Sequence, residues 1–189
     1  MSVTGARVGA DKERSYSGDY MAIGKFAEAV IIPWLRETPQ VLGVDDLTNL
    51  RPLQEADVDC SIKLIDGRII LAEIKSDKWL RGEPRTNVLF EVLRLNHTSP
   101  PDKFCVLGWT PRSPAKWLLF YSPTKQKVFK CLFDDLRRCA QRYTREARGD
   151  SRISWVNTDS IKSTVNLLIP WDYCQGIFEL HDVSRYVKS

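Results

Sequence analysis

The stretch ADVDCSIKLIDGRIILAEIKSDK, residues 56–78, constrains this chain more than any other. Two strand-like runs, Val58 to Ile65 and Arg68 to Ile74, flank Asp66-Gly67, a dipeptide whose access to positive φ suits the tight turn of a hairpin. The second run is apolar on both faces until Glu73 and Lys75, which the two-residue period of a strand puts on one face. Two opposite charges therefore emerge together at a strand end. Register decides whether Asp59 joins them. A strict two-residue turn pairs Cys60 with Glu73 and turns Asp59 away. A three-residue turn, or a bulge near Asp59, brings its carboxylate to the same end and face as Glu73. Two carboxylates converging with a lysine suit a hard divalent cation, because carboxylate oxygens match Mg²⁺ and an ammonium holds an anionic oxygen or a water.

The pattern upstream predicts a helix. Ile23, Phe26, Ala27, Val30, Ile31 and Trp34 form one apolar stripe at helical spacing. Asp19 is placed to cap it, and Pro33 to kink it or end its regular part early. Residues 1 to about 18 read as a flexible arm. At roughly 100° per residue, Glu28 falls on the rim of the stripe, where a carboxylate can reach the edge of the sheet the helix covers. Val44 to Leu53 is short and irregular, with room for one edge strand.

Downstream, Thr86 or Asn87 is placed to cap a second helix through about Asn96, with Val88, Leu89, Val92 and Leu93 inward. Strands are expected at Lys103 to Trp109, Lys116 to Ser122, Ile153 to Val156 and Thr164 to Ile169, the last closed by Pro170-Trp171. Between them Phe133, Leu136, Ala140, Tyr143 and Ala147 recur at helical spacing, with arginines at 137, 138, 142, 145, 148 and 152. The sum is an α/β chain with a mixed central sheet flanked by helices. At 189 residues one domain over 19–189 is expected, with a core at about 19–109 and an extension at about 110–189.

Composition excludes several classes. There is no run of eighteen apolar residues and no apolar centre to the N-terminal segment, so neither a membrane span nor a secretory leader is expected and the cytoplasm is the expected compartment. Cysteines 60, 105, 131, 139 and 174 are odd in number and lack C-x-x-C spacing, which argues for reduced core thiols rather than disulfides or a thiolate zinc site. With only His97 and His181, a histidine zinc site is a poor fit as well. Net charge is +4 with a pI near 8.8, a mild excess that alone says little about partners. The Arg138, Arg142 and Arg145 face is more telling, as a rail for phosphates or as a solvated basic surface.

At Asp-Val-Asp (57–59), Glu-Ile-Lys (73–75) and Ile-Gly-Lys-Phe-Ala-Glu (23–28) the sequence resembles the PD-(D/E)XK nuclease superfamily, including its restriction-endonuclease-like and resolvase-like members. Glu73 is the only glutamate in the chain followed two places on by lysine. The resemblance covers about residues 19 to 109, departs from the pattern in having no proline before the aspartate, and leaves Asp57 as the alternative to Asp59 for the first ligand. It implies an α-β-β-β-α-β core and a nuclease dependent on Mg²⁺, which Mn²⁺ can replace. In it Asp59, Glu73 and the Ile74 carbonyl would hold the metal, Lys75 would position or activate the attacking water and stabilise the phosphorane-like charge, and Glu28 would orient water or complete a second metal position. DNA is the expected substrate, a homodimer a compatible state, and a membrane partner is not expected. Lys78, Arg81 and Arg85 leave the site in a loop, where cations would face the phosphates of a bound strand. Two rivals share the fold: a nucleic-acid binder that no longer cuts, and a protein-interaction module.

Overall fold

The computed structural model describes residues 16–77, 80, 82, 86–96, 100, 105–146, 152–157 and 162–187. The chain begins with helix α1 (Tyr16–Arg36) and strand β1 (Val41–Asp46), then a five-residue helix α2 (Arg51–Glu55) and the hairpin β2 (Cys60–Leu64) and β3 (Ile69–Ser76). Strands β4 (Asn87–Asn96) and β5 (Cys105–Leu107) and the one-turn helix α3 (Trp109–Arg112) lead to a second hairpin, β6 (Trp117–Ser122) and β7 (Lys127–Leu132). Helix α4 (Phe133–Glu146), strands β8 (Arg152–Asn157) and β9 (Lys162–Pro170), short helix α5 (Trp171–Cys174) and strand β10 (Glu179–Asp182) complete it.

Two sheets result. The larger runs β1-β2-β3-β6-β7-β10, and the smaller β5-β4-β9-β8. Among the described strands only β3 and β6 pair in parallel, so the connection between them must cross over a face of the large sheet. Helix α1 covers one face of that sheet through Ala27, Val30, Ile31, Trp34 and Leu35, packed on Cys60, Ile62, Ile70, Ala72 and Ile74. The opposite face carries a second core, where Leu118, Phe120 and Phe129 meet Phe133, Leu136 and Ala140 of α4 and Val88, Phe90, Leu167 and Ile169 of the small sheet. Each fully buried side chain of this size contributes about 1.5–3 kcal/mol by leaving water.

The mixed α/β architecture is the one expected, and four details differ. The segment read as a second helix is β4, joined to β9 in a ladder from Asn87↔Pro170 to Asn96↔Lys162. Its Val88 and Phe90 are buried together, a two-residue period that the short apolar run Val88, Leu89, Val92, Leu93 did not separate from a helical one. The crossover therefore runs through strands and α3, and the expected α-β-β-β-α-β order lacks its second long helix. Helix α1 is already formed at Tyr16, before the Asp19 expected to cap it, and continues through Pro33 to Arg36. A proline late in a helix removes one internal donor, and packing of the buried face outweighs that loss. Trp109 opens α3 instead of closing a strand.

The remaining departures are local. The buried stripe of α1 is shifted by a residue: Phe26 is 38% exposed, while Ile32 and Leu35 are buried. Of the five thiols, Cys60, Cys131, Cys139 and Cys174 are buried and unpaired as expected, and Cys105 is exposed on β5. Among the described residues no helix is long and apolar enough to cross a membrane.

Candidate active site

The turn of the first hairpin settles the register. Gly67, at φ +83°, donates its N–H to the Leu64 carbonyl at 3.0 Å, and Leu64 donates to Arg68 at 2.9 Å. The loop is thus Ile65-Asp66-Gly67, three residues with glycine in the left-handed position, where it meets no Cβ penalty. Cys60 then pairs with Ala72 and Ile62 with Ile70, and Asp59, just past the last pair of the ladder, comes close enough to Glu73 for the two carboxylates to feel each other's charge. This is the three-residue alternative left open by the sequence.

Strand β2 ends at that point. Asp59 donates its N–H to the Ala72 carbonyl at 3.0 Å, while the next residue back, Val58, turns away to Leu53. The Ile74 N–H, left without a backbone partner on that edge, donates to Asp59 Oδ2 at 2.7 Å. In a strand the N–H and C=O of one residue point to the same edge, so the Ile74 carbonyl projects into the gap that β2 has vacated. Asp59 is fixed there by the turn before it. Asp57 sits at φ +55°, its carbonyl accepts from Ser113 Oγ at 2.7 Å, and its carboxylate is ion-paired with Arg112.

Glu73 and Lys75 share the face of β3 that looks away from α1, and they pair with each other. Glu73 is 1% exposed, and its Oε2 is buried with no hydrogen-bond partner among the described residues. Burial pushes the Glu73 carboxyl up, to about 8, against the pull of Lys75; the negative charge of Asp59 adds to the rise. Burial works against the Lys75 ammonium, yet the charges of Glu73 and Asp59 outweigh it and raise its pKa. The pair is one in which Lys75 keeps its proton and Glu73 readily takes one. The Lys75 Nζ also lies 5.2 Å from the centre of the Trp109 ring, within range of a cation–π attraction.

Glu28 approaches from α1. Burial raises its carboxyl above the ordinary range, and the charges of Asp59 and Asp46 raise it further while Lys25 and Lys75 oppose them. The helix therefore brings Glu28 into the field of the same cluster. Cys60 beneath it feels these acids too: burial first, then Asp59, Asp46, Glu73 and Glu28, push its thiol up to about 12.

The arginine face of α4 is less free than its spacing implied. Arg138 is ion-paired with Asp135, and Arg142 donates to the Tyr173 hydroxyl at 3.0 Å with its guanidinium 4.8 Å from that ring. Arg145 has no ion-pair partner among the described residues. Lys78, Arg81 and Arg85 lie outside the described residues, as do Trp79, Ala147 and Arg148.

Sequence reasoning missed Asp46, Trp109, Arg112 and Ser113. Asp46 was legible only as an acid at the end of a short edge strand, whereas the α3 residues come to the site through a crossover with no local signal. Two carboxylates, a directed carbonyl and one orphaned buried oxygen suit a hard cation. Among the described residues, however, no three His, Cys, Asp or Glu side chains form a group that could hold one.

No family model and no curated protein matches the chain. Among solved structures it is similar to a bacterial homing endonuclease, I-Ssp6803I, with 14% identity and a TM-score of 0.43 over 60% of this chain and 69% of that one. A likeness that slight carries no argument about fold or activity.

Proposed function

We propose that the protein is a metal-dependent phosphodiesterase acting on nucleic acid, with DNA as substrate and endonucleolytic cleavage as the reaction. The observation that carries this reading is the end of the hairpin, where the Asp59 carboxylate is held against the Ile74 N–H next to the Glu73–Lys75 pair. Asp59, Glu73 and the Ile74 carbonyl would hold Mg²⁺, or Mn²⁺ in its place; Asp57 is the alternative ligand, although here it is held by Arg112. The cation, when bound, would supply charge neutralisation at the phosphate and a lowered water pKa.

The chain's own residues would do the rest. Binding of a cation by Glu73 would release Lys75 from its ion pair, and the ammonium would then face the phosphate. There it orients the attacking water and meets the negative charge that grows on the phosphate oxygens. Glu28, with its raised pKa, holds a water by hydrogen bonding. Arg138, Arg142 and Arg145 would face the polyanion, and Lys78, Arg81 and Arg85, outside the described residues, are further candidates for phosphate contacts.

A second reading has its own support. One Asp59 oxygen is already engaged by Ile74 and Glu73 by Lys75, an arrangement that also suits a nuclease-fold binding module that does not cut. A cleavage panel of linear, nicked, branched and single-stranded DNA and of RNA, with Mg²⁺ or Mn²⁺, separates the two. Cleavage that requires the cation and is lost in Asp59→Asn, but kept in Asp57→Asn, supports the enzyme and its ligand assignment. Binding without turnover on every substrate supports the module.

A further inference from the structure

Helix α4 and the small sheet line an open groove of about 540 Å³ that contains neither Asp59 nor Glu73 nor Lys75. Its floor is apolar, made by Phe90 and Val92 of β4 and Leu167 of β9. Its α4 wall carries Arg137, Gln141, Thr144 and Arg145 beside the small apolar Ala140, and no carboxylate lines it. Pro111 of α3 closes one end, and that helix also carries Trp109, which lies against Lys75, and Arg112, which pairs with Asp57. Arg137 ties α4 to α3 by donating to the carbonyls of Thr110 at 3.0 Å and Ser113 at 2.6 Å. One wall of the groove is therefore shared with the structure that fixes Asp59 and Lys75.

We propose that this groove binds an unpaired stretch of the nucleic-acid strand, with a base on the apolar floor and its phosphate on Arg145. The inference rests on the nucleic-acid reading above and names the strand geometry within it. Three observations commit the occupant. The lining holds no acid, and with Arg137 ion-paired to Asp134 its cation without an ion-pair partner among the described residues is Arg145, which selects an anion. The floor is apolar, which selects an anion with a flat or apolar body rather than a bare phosphate. The volume lies within the several-hundred Å³ range of pockets that enclose one small ligand, far below what a duplex would need. Arg138 and Arg142, held by Asp135 and Tyr173, lie outside this lining, so the groove shifts the contact toward Arg145 and the Gln141–Thr144 edge of the helix.

The test is equilibrium binding of the full chain to labelled oligothymidylate and to a blunt duplex of equal length, in EDTA so that nothing is cut. The wild type binds the single strand. Arg145→Gln, which removes the charge, and Thr144→Trp, which fills the groove from an exposed position, each weaken that binding by about tenfold or more, as expected for a lost base contact, and weaken duplex binding much less. A wild type that does not bind the oligonucleotide overturns the proposal. So does an equal loss on both substrates, which marks a general cationic surface, and so does a silent Thr144→Trp, which puts the strand outside the groove. Because the readout needs no cleavage, a protein that binds in this way but never cuts retires the nuclease reading and leaves the groove standing.

Discussion

The two faces of the large sheet are built from the same strands and differ in kind. On the α1 side, Ile70, Ala72 and Ile74 of β3 meet mainly aliphatic residues such as Val30, Ile31 and Ile62, with Trp34 and Tyr121 among them, and among the described residues no charged side chain is buried there. The other side is aromatic: Phe129 meets Trp171 edge-on at 5.4 Å, Trp171 stacks on Phe178 at 5.4 Å, and Trp109 packs against Phe120 and Phe133. Into that second side β3 turns Leu71, Glu73 and Lys75. The buried Glu73 is thus desolvated by one core while its strand is anchored by the other. A single strand alternates between a residue that holds the fold and a residue that is strained in charge, and neighbouring positions should respond to mutation in opposite ways.

The largest contrast is expected at Glu73. Glu73→Gln should lower cation-dependent cleavage by about 10³-fold or more, roughly 4 kcal/mol in the barrier, and leave the urea midpoint nearly unmoved. Glutamine keeps the volume, and a neutral group suits a position where burial already favours the uncharged acid. A variant that unfolds while its folded fraction still cuts would make this face of β3 structural. Ile70→Ala, three residues away on the other face, should do the reverse: a loss of about 3 kcal/mol in stability from lost transfer energy and a cavity, seen as a lower urea midpoint, with single-turnover cleavage by the folded protein unchanged.

Lys75→Ala sharpens the comparison within the charged face. Its single-turnover rate at saturating Mg²⁺ should fall by about 10²-fold, close to 2.7 kcal/mol, as for a removed electrostatic group. Cation binding should persist, because a protonated lysine is no ligand; undiminished cleavage would place the chemistry elsewhere.

The smallest effect belongs to the aliphatic side, at His181, whose ring lies 4.9 Å from that of Trp34. Burial lowers its pKa below 6.5, with Lys130 in the same direction and Glu179 opposing. The unfolded chain then binds more protons than the folded one just below that value, so the stability contributed by neutral His181 is present above pH 6.5 and falls as pH drops through it. His181→Phe should keep the ring contact and flatten the decline in urea midpoint between pH 7.5 and pH 5.5. An unchanged slope would assign that decline to other groups.

The hairpin was legible because its signals are local: an Asp-Gly turn, alternating apolar residues, and charges two apart at a strand end. The same holds for α4, whose buried Phe133, Leu136 and Ala140 follow a long helical period. The segment 87–96 was not legible, because ten residues with both faces partly covered carry no period that distinguishes strand from helix. Its partner β9 lies some 66 to 83 positions further along the chain, and that pairing decided the outcome.

Within the candidate site the division is equally sharp. The sequence by itself put Glu73 and Lys75 on one face, because a strand has a two-residue period, and it put Glu28 on the rim of a helix, because a helix has a longer one. It left Asp59 open between a strict two-residue turn and a three-residue turn or bulge. The tertiary structure chose the three-residue turn. Only that register lets β2 place Cys60, Ile62 and Leu64 under α1 while Asp57 is held by Arg112 and Ser113 from the far end of the crossover. A one-residue slip would exchange every side chain of β2 between the two cores. Burial on both faces, and not the turn sequence, therefore sets where Asp59 stands.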